Sequence, residues 1–230
     1  MLNYSSNKLV IAVDGPAGSG KSTISKILAK ELDYNYINTG NLYRYITYCA
    51  LKKRLDVKDS KLMEKFSKKI IEQFVNNNKI LKNIQLIFDD KNEIFQKIHS
   101  PQIDKNVSFV AYHASVRKNL IPLQRLLAKN KSVVIEGRDI GTVILPNADI
   151  KFFIVADKKT RVSRRYKELQ EKGYRITLKE VESEIIKRDD IDSKREFAPL
   201  TIPEDAIIVD TSNKHINEVL KIMLNVIQKY

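Results

Sequence analysis

A single cysteine, Cys49, in 230 residues excludes an internal disulfide and any cysteine cluster for a metal. Its spacing among apolar neighbours is helical and reads as a core position. Histidine is also scarce, and His99, His113 and His215 have no ligand-like spacing. No stretch approaches the ~18 consecutive apolar residues of a membrane span, and the opening Met1-Leu2-Asn3-Tyr4-Ser5 lacks the charged and apolar regions of a signal peptide. These absences predict a cytoplasmic protein without a membrane partner. Long basic tracts, glycine-arginine segments, internal repeats and low-complexity linkers are missing as well.

Positive charge is abundant: 41 Lys and Arg face 28 Asp and Glu, for a net charge of +13. The basic residues are spread along the chain among Asp, Glu and Asn, unlike a nucleic-acid-binding tract. Nucleotide bias in a genome rich in Lys, Ile and Asn codons is one account, and an enzyme that holds two polyphosphates at one site is another. Both together are preferred here to a nucleic-acid groove. With 43% hydrophobic residues the chain can bury a sizeable core, as one domain or one domain with insertions.

The most specific local signal follows the apolar run Leu9-Val10-Ile11-Ala12-Val13. There Gly15, Pro16, Ala17, Gly18, Ser19, Gly20, Lys21 and Ser22 fit G-x-x-x-x-G-K-[ST], and a helical pattern begins at Thr23. A strand, this loop and a helix form a phosphate-binding loop. Its glycines turn backbone N–H groups toward the β- and γ-phosphates of a nucleoside triphosphate, Lys21 adds a mobile charge, and Ser22 offers a hydroxyl to Mg²⁺. The loop identifies a donor and leaves the acceptor open, since kinases, GTPases, helicases and transporter ATPases all carry it.

The remaining chain alternates strands and helices. Strands are expected at Leu9–Val13, Tyr34–Ile37, Ser132–Glu136, Lys151–Val155 and Ala206–Val209. Helices are expected at about Lys21–Leu32, Asn41–Lys53, Asp59–Phe74, Gln102–Leu127, Lys158–Lys172, Leu178–Asp190 and His215–Gln228. The turn clusters Asn76-Asn77-Asn78 and Asp89-Asp90-Lys91-Asn92 bracket Ile80–Phe88 and precede Glu93–Phe95, which predicts a small antiparallel sheet inserted at about 76–98. The fold class is therefore α/β, a doubly wound parallel five-stranded sheet flanked by helices.

Two further groups of residues carry chemistry. The run Val133-Val134-Ile135-Glu136-Gly137-Arg138-Asp139-Ile140-Gly141-Thr142 puts Glu136 at the carboxyl end of a strand, where open α/β sheets bind ligands and a Walker-B acid approaches the metal. Arginines supply the second group. Arg44 follows the second strand, Arg161 and Arg164 are spaced to share one helix face, with Arg165 beside them, and Arg188 and Arg195 flank a run of acids. Together they could surround a phosphate donor and a phosphate acceptor.

In order and spacing, Val10–Ser22, Asn38-Thr39-Gly40-Asn41-Leu42-Tyr43-Arg44, Glu136–Thr142 with Pro146-Asn147-Ala148-Asp149, Leu169–Gly173, and Arg188-Asp189-Asp190 through Arg195 to Ala198-Pro199-Leu200 resemble bacterial cytidylate kinases. The resemblance runs from about Val10 to the final helix. It implies a single kinase domain over 1–230, a monophosphate-binding region over 41–112 and a helical lid over 160–199. It also implies transfer of the γ-phosphoryl group of ATP to CMP or dCMP with Mg²⁺, by a monomer. Lys21, Arg161, Arg164 and Arg188 would be catalytic, and Gly15 through Thr23 would bind ATP. Thr39, Tyr43, Arg44, Ser108, Arg117, Arg138, Asp139, Asp192 and Arg195 would bind CMP, while Ser22 and Glu136 would hold the metal.

Within that set, Arg44, Arg138 and Arg195 fall to the acceptor phosphate; Asp139, Ser108 and Arg117 to the cytosine; and Asp192 to a sugar hydroxyl. No general base is needed, because the acceptor atom is already a phosphate oxygen. Departures occur at His99, Ile191 and Ser193, where relatives often carry arginine, with Lys194 a possible substitute. Thr39 replaces a frequent serine and keeps the hydroxyl. The alternatives are another acceptor (UMP, dTMP, AMP or a non-nucleotide such as shikimate), a nucleic-acid-linked ATPase, and a noncatalytic nucleotide-binding module.

Overall fold

The computed structural model describes residues 8–76, 86–129 and 132–230. Strand β1 (Val10–Asp14) is buried from Ile11 onward and lies parallel between β3 (Val133–Glu136) and β4 (Ile150–Val155). Val13 stands opposite Glu136 on one side and Phe152 on the other. Strand β4 pairs in parallel with β5 (Ile207–Asp210), and β2 (Asn35–Asn38) completes the order β2-β3-β1-β4-β5. The chain runs from β1 to the edge strand β2, returns to β3 beside β1, then crosses to β4 and β5. The switch in direction lies beside β1, and the loops leaving β1, β3 and β4 share its carboxyl rim.

Two compact units emerge among the described residues, one from 8–36 and 132–230, the other from 37–76 and 86–129. In the first, apolar residues one helical turn apart pack on the strands. Ile24 and Leu28 of α1 (Lys21–Leu32), and Val219, Met223 and Ile227 of the C-terminal helix Ile216–Ile227, meet Ile11, Val13, Phe152 and Ile154. The helices at Lys158–Glu171 and Leu178–Ser193 form a hairpin on a small core of their own, Val162, Leu169, Val181 and Ile185. The second unit contains α2 (Gly40–Lys52), α3 (Ser60–Asn76), α4 (Glu93–Ile98), α5 (Pro101–Tyr112) and α6 (Ala114–Leu127). Its core includes Leu42, Ile46, Met63, Val107, Val110, Leu120 and Leu123. In chain order the hairpin helices are α7 and α8, and the C-terminal helix is α9.

The five strands and the doubly wound class are as expected, but two local expectations fail. Part of the inserted antiparallel sheet, at 77–85, lies outside the described residues; of the rest, 86–88 and Glu93–Ile98 are helical. The Asn92 side chain accepts the Ile94 N–H at 2.9 Å, and Glu93 pairs with Lys97 one turn later at 2.7 Å, so the second turn cluster ends in a helix cap and starts a helix. The expected helix Gln102–Leu127 is two helices, broken at His113, whose backbone is extended and whose Nε2 lies 2.8 Å from the Val57 carbonyl. A tertiary bond sets that break, and helical periodicity carries no sign of it.

Candidate active site

The phosphate loop is shaped by backbone conformations that only glycine adopts at low cost. Gly15, Gly18 and Gly20 have φ of 152°, 74° and 86°, and a Cβ on Gly15 would lie 2.2 Å from the Ile154 carbonyl oxygen. Within the loop, Ser19 Oγ and Lys21 Nζ donate to the Pro16 carbonyl at 3.0 and 3.2 Å. Lys21 opens α1 and is buried. Burial and then the neighbouring Arg138 push its amine down to about 7, against an opposing pull from Glu136.

At the strand ends, Glu136 is buried and its Oε1 accepts the Tyr36 hydroxyl at 3.0 Å; the same hydroxyl lies 3.5 Å from the Ser22 carbonyl. Arg138 Nε donates to Asp192 Oδ2 at 2.8 Å, and Arg195 Nη1 lies 3.5 Å from Asp192 Oδ1. Burial alone would raise the Asp192 pKa, but Arg138, Arg195 and Arg188 outweigh it and hold the carboxyl below its usual range. Asp139, also buried, leads into a π-helical turn, Ile140–Ile144.

Arginines of the α7–α8 hairpin touch the loop itself. Arg161 Nη1 donates to the Ala17 carbonyl at 3.1 Å and to Asp189 Oδ2 at 2.6 Å, while its Nε is buried without a hydrogen-bond partner among the described residues. Arg164 donates to Thr211 Oγ1 at 2.9 Å and to the Thr211 carbonyl at 2.6 Å, and its Nη1 lies 3.4 Å from the Ser19 carbonyl. Arg188 is half-buried, and its charge acts on both Lys21 and Asp192. Arg165 pairs with Glu168 at 2.8 Å.

The other unit holds the remaining expected residues: Thr39, Tyr43 and Arg44 at the start of α2, Ser108 on α5 and Arg117 on α6. Thr39 is the buried N-cap of α2; Arg44 pairs with Asp104 at 2.6 Å and donates to the Ile98 carbonyl at 3.1 Å. Arg117 is buried with its guanidinium 5.3 Å from the Tyr43 ring centre, and its Nη1 donates to the Ala111 carbonyl at 3.3 Å. Ser108 is half-buried on α5. His99, at one of the departures, stacks on Phe95 and places Nε2 3.1 Å from Asn41 Oδ1, while Asn41 Nδ2 donates to the Ile87 carbonyl at 2.9 Å.

Four residues of this geometry have no role of their own in the sequence reading. Asp14 ends an apolar strand as a buried carboxylate; Tyr36 holds Glu136; Asp189 pairs with Arg161; and Thr211 binds Arg164 while its hydroxyl donates to the Ser19 carbonyl at 2.9 Å. Asp14 alone left a legible signal, a charge closing an otherwise apolar strand.

Oxygen donors suit Mg²⁺, which binds one or two carboxylates plus substrate phosphates more often than an all-protein cage. Glu136 offers such a carboxylate, buried at the end of β3, and the exposed Ser22 offers a hydroxyl at the start of α1; among the described residues no group of three or more His, Cys, Asp or Glu side chains could hold a metal ion. No helix among them is long and apolar enough to cross a membrane.

A family model described as cytidylate kinase matches residues 11–229. A protein named cytidylate kinase from Clostridioides difficile (strain 630) is 47% identical over 213 residues, covering 93% of this chain and 95% of that protein. Another of the same name, from Alkaliphilus metalliredigens (strain QYMF), is 42% identical over 216 residues, covering 94% of each. The crystal structure of an uncharacterized protein from Eubacterium ventriosum ATCC 27560 matches with a TM-score of 0.50 at 15% identity, over 96% of this chain and 99% of that one. That last likeness is one of fold alone.

Proposed function

Because the chain belongs to the cytidylate kinase family, we propose that it transfers the γ-phosphoryl group of ATP to CMP or dCMP, giving ADP and CDP or dCDP. The observation that carries this reading is the crowding of cations at the phosphate loop. Arg138 and Arg188 act on a buried Lys21 strongly enough, with burial, to bring its amine near neutrality. Such a cluster is stabilised by a polyanion, and a phosphoryl group in transfer is one.

Each residue then has a task. The loop from Gly15 to Thr23 and Lys21 hold the donor phosphates. Arg161, Arg164 and Arg188 neutralise the equatorial oxygens of the transferring group, Arg161 with a buried Nε still open to bond. In the strand-bearing unit, Arg138 and Arg195 serve the acceptor phosphate, Asp139 the cytosine amine and Asp192 a sugar hydroxyl. In the helical unit, Arg44 serves the acceptor phosphate from a position fixed by Asp104, Thr39 and Tyr43 support the acceptor beside it, and Ser108 and Arg117 serve the base.

Ser22 and Glu136 would hold Mg²⁺, which when bound with ATP neutralises charge on the β- and γ-oxygens. The attacking atom is a phosphate oxygen, so orientation and charge neutralisation suffice and no side chain need remove a proton. A carboxylate at Asp139 accepts from the exocyclic amine of cytosine but meets the carbonyl of uracil, which disfavours UMP. The enzyme is proposed to act as a monomer.

The test is a panel of CMP, dCMP, UMP, dTMP and AMP with ATP and Mg²⁺. CMP or dCMP is expected to turn over fastest, and UMP turnover equal to or better than that of CMP would sink the assignment.

A further inference from the structure

Asp14 closes β1 immediately before Gly15 and is 1% exposed. The rest of the strand is apolar, and burial pushes this carboxyl up to about 6 even though two backbone N–H groups pull it down. A buried carboxylate is costly to the fold, so what it bonds to matters.

It accepts the N–H of Ile140 at 2.9 Å and of Gly141 at 2.7 Å. Those amides begin the π-helical turn Ile140–Ile144, and the first N–H groups of any helical turn have no partner inside it. At its far side the turn closes on Asp139, whose carbonyl accepts Val143 N–H at 2.9 Å and Ile144 N–H at 3.1 Å.

Gly141 is confined from another direction as well. A Cβ there would sit 3.0 Å from Pro203 Cγ and 3.1 Å from Lys151 Cδ, and Lys151 is itself fixed by Asp205 at 2.9 Å. The turn is gripped on both sides, and the two residues leading into it are Arg138 and Asp139.

We infer that Asp14 is a positioning residue for the acceptor. Its carboxylate holds the turn that aims Arg138 at the acceptor phosphate and Asp139 at the base, and it ties that aim to the first residue of the donor loop. The inference rests on the acceptor roles proposed above for Arg138 and Asp139.

Asp14→Asn keeps the side chain's size but turns an amide NH₂ toward one of the two backbone donors. The Michaelis constant for CMP should rise about tenfold and the preference for CMP over UMP in kcat/KM fall about tenfold, the cost of one unsatisfied buried donor. The dissociation constant of ATP, measured by calorimetry without acceptor, should change less than about twofold.

Gly141→Ala crowds the same turn from its other side and should produce the same split, which keeps the test open if Asp14→Asn fails to fold. In an Asp139→Asn background, Asp14→Asn should leave the CMP/UMP preference where Asp139→Asn alone sets it. Equal loss of ATP and CMP binding, an unchanged base preference, or additive losses in the double variant would overturn the inference. A wild-type enzyme with no preference for CMP in the same assay overturns the acceptor reading instead, and the two failures are distinguishable.

Discussion

Lys21 is only partly protonated near neutral pH in the ligand-free protein. Its amine is pushed down to about 7 by burial first and Arg138 second, so near pH 7 about half of the ligand-free molecules hold it neutral. A polyphosphate favours the charged form. ATP binding should therefore take up a proton between pH 7 and 9, and ATP affinity should fall as pH rises through that range. Calorimetry in buffers of different ionisation enthalpy measures the uptake, and Lys21→Met should abolish it. The sign for stability is opposite to that of a paired lysine: the unfolded chain binds this proton up to about pH 10.4, so the group favours the ligand-free fold increasingly as pH rises from about 7 to that value. At this scale the sequence shows Lys21, Glu136 and the arginines because each stands in a short local pattern: a glycine-rich loop, a strand end, a helix face. It conceals Tyr36, Asp189 and Thr211, whose partners lie 100, 28 and 47 residues away along the chain.

The hairpin of α7 and α8 is the element most suited to move. It packs on four buried side chains, and its second helix starts with a capping box in which Thr177 Oγ1 accepts the Glu180 N–H and Glu180 accepts the Thr177 N–H at 2.7 Å. A hairpin with its own small core can shift as one body. We propose that residues 160–199 act as a lid that excludes water from the donor phosphates, and that amide exchange over 160–199 slows on adding a bisubstrate analogue of ATP and CMP. Equal exchange with and without the analogue would count against closure. Strands and long helices were legible because their periods are carried by buried residues such as Ile24 and Leu28 or Val219, Met223 and Ile227. The short helix Glu93–Ile98 was not, since its formation depends on the Asn92 cap and the Glu93–Lys97 pair more than on any period.

Over the whole molecule a net charge of +13 invites long-range attraction to any polyanion. The acids interleaved with the bases break it into local pairs, among them Arg44–Asp104, Arg138–Asp192 and Arg161–Asp189. Nucleic acid should accordingly leave ATP turnover unchanged in the absence of CMP at physiological salt, as a coupled ADP assay would register; strong stimulation that collapses with added salt would reveal a motor. The sheet order was legible only as a class, because which strands lie beside β1 depends on crossovers that composition does not encode. That central strand ends where Gly15 meets the carbonyl of Ile154. The opposing atom belongs to the main chain, so no side-chain replacement elsewhere can make room for a larger residue at position 15. Room for it would require the backbone of β4 itself to move, and that strand is paired on both sides.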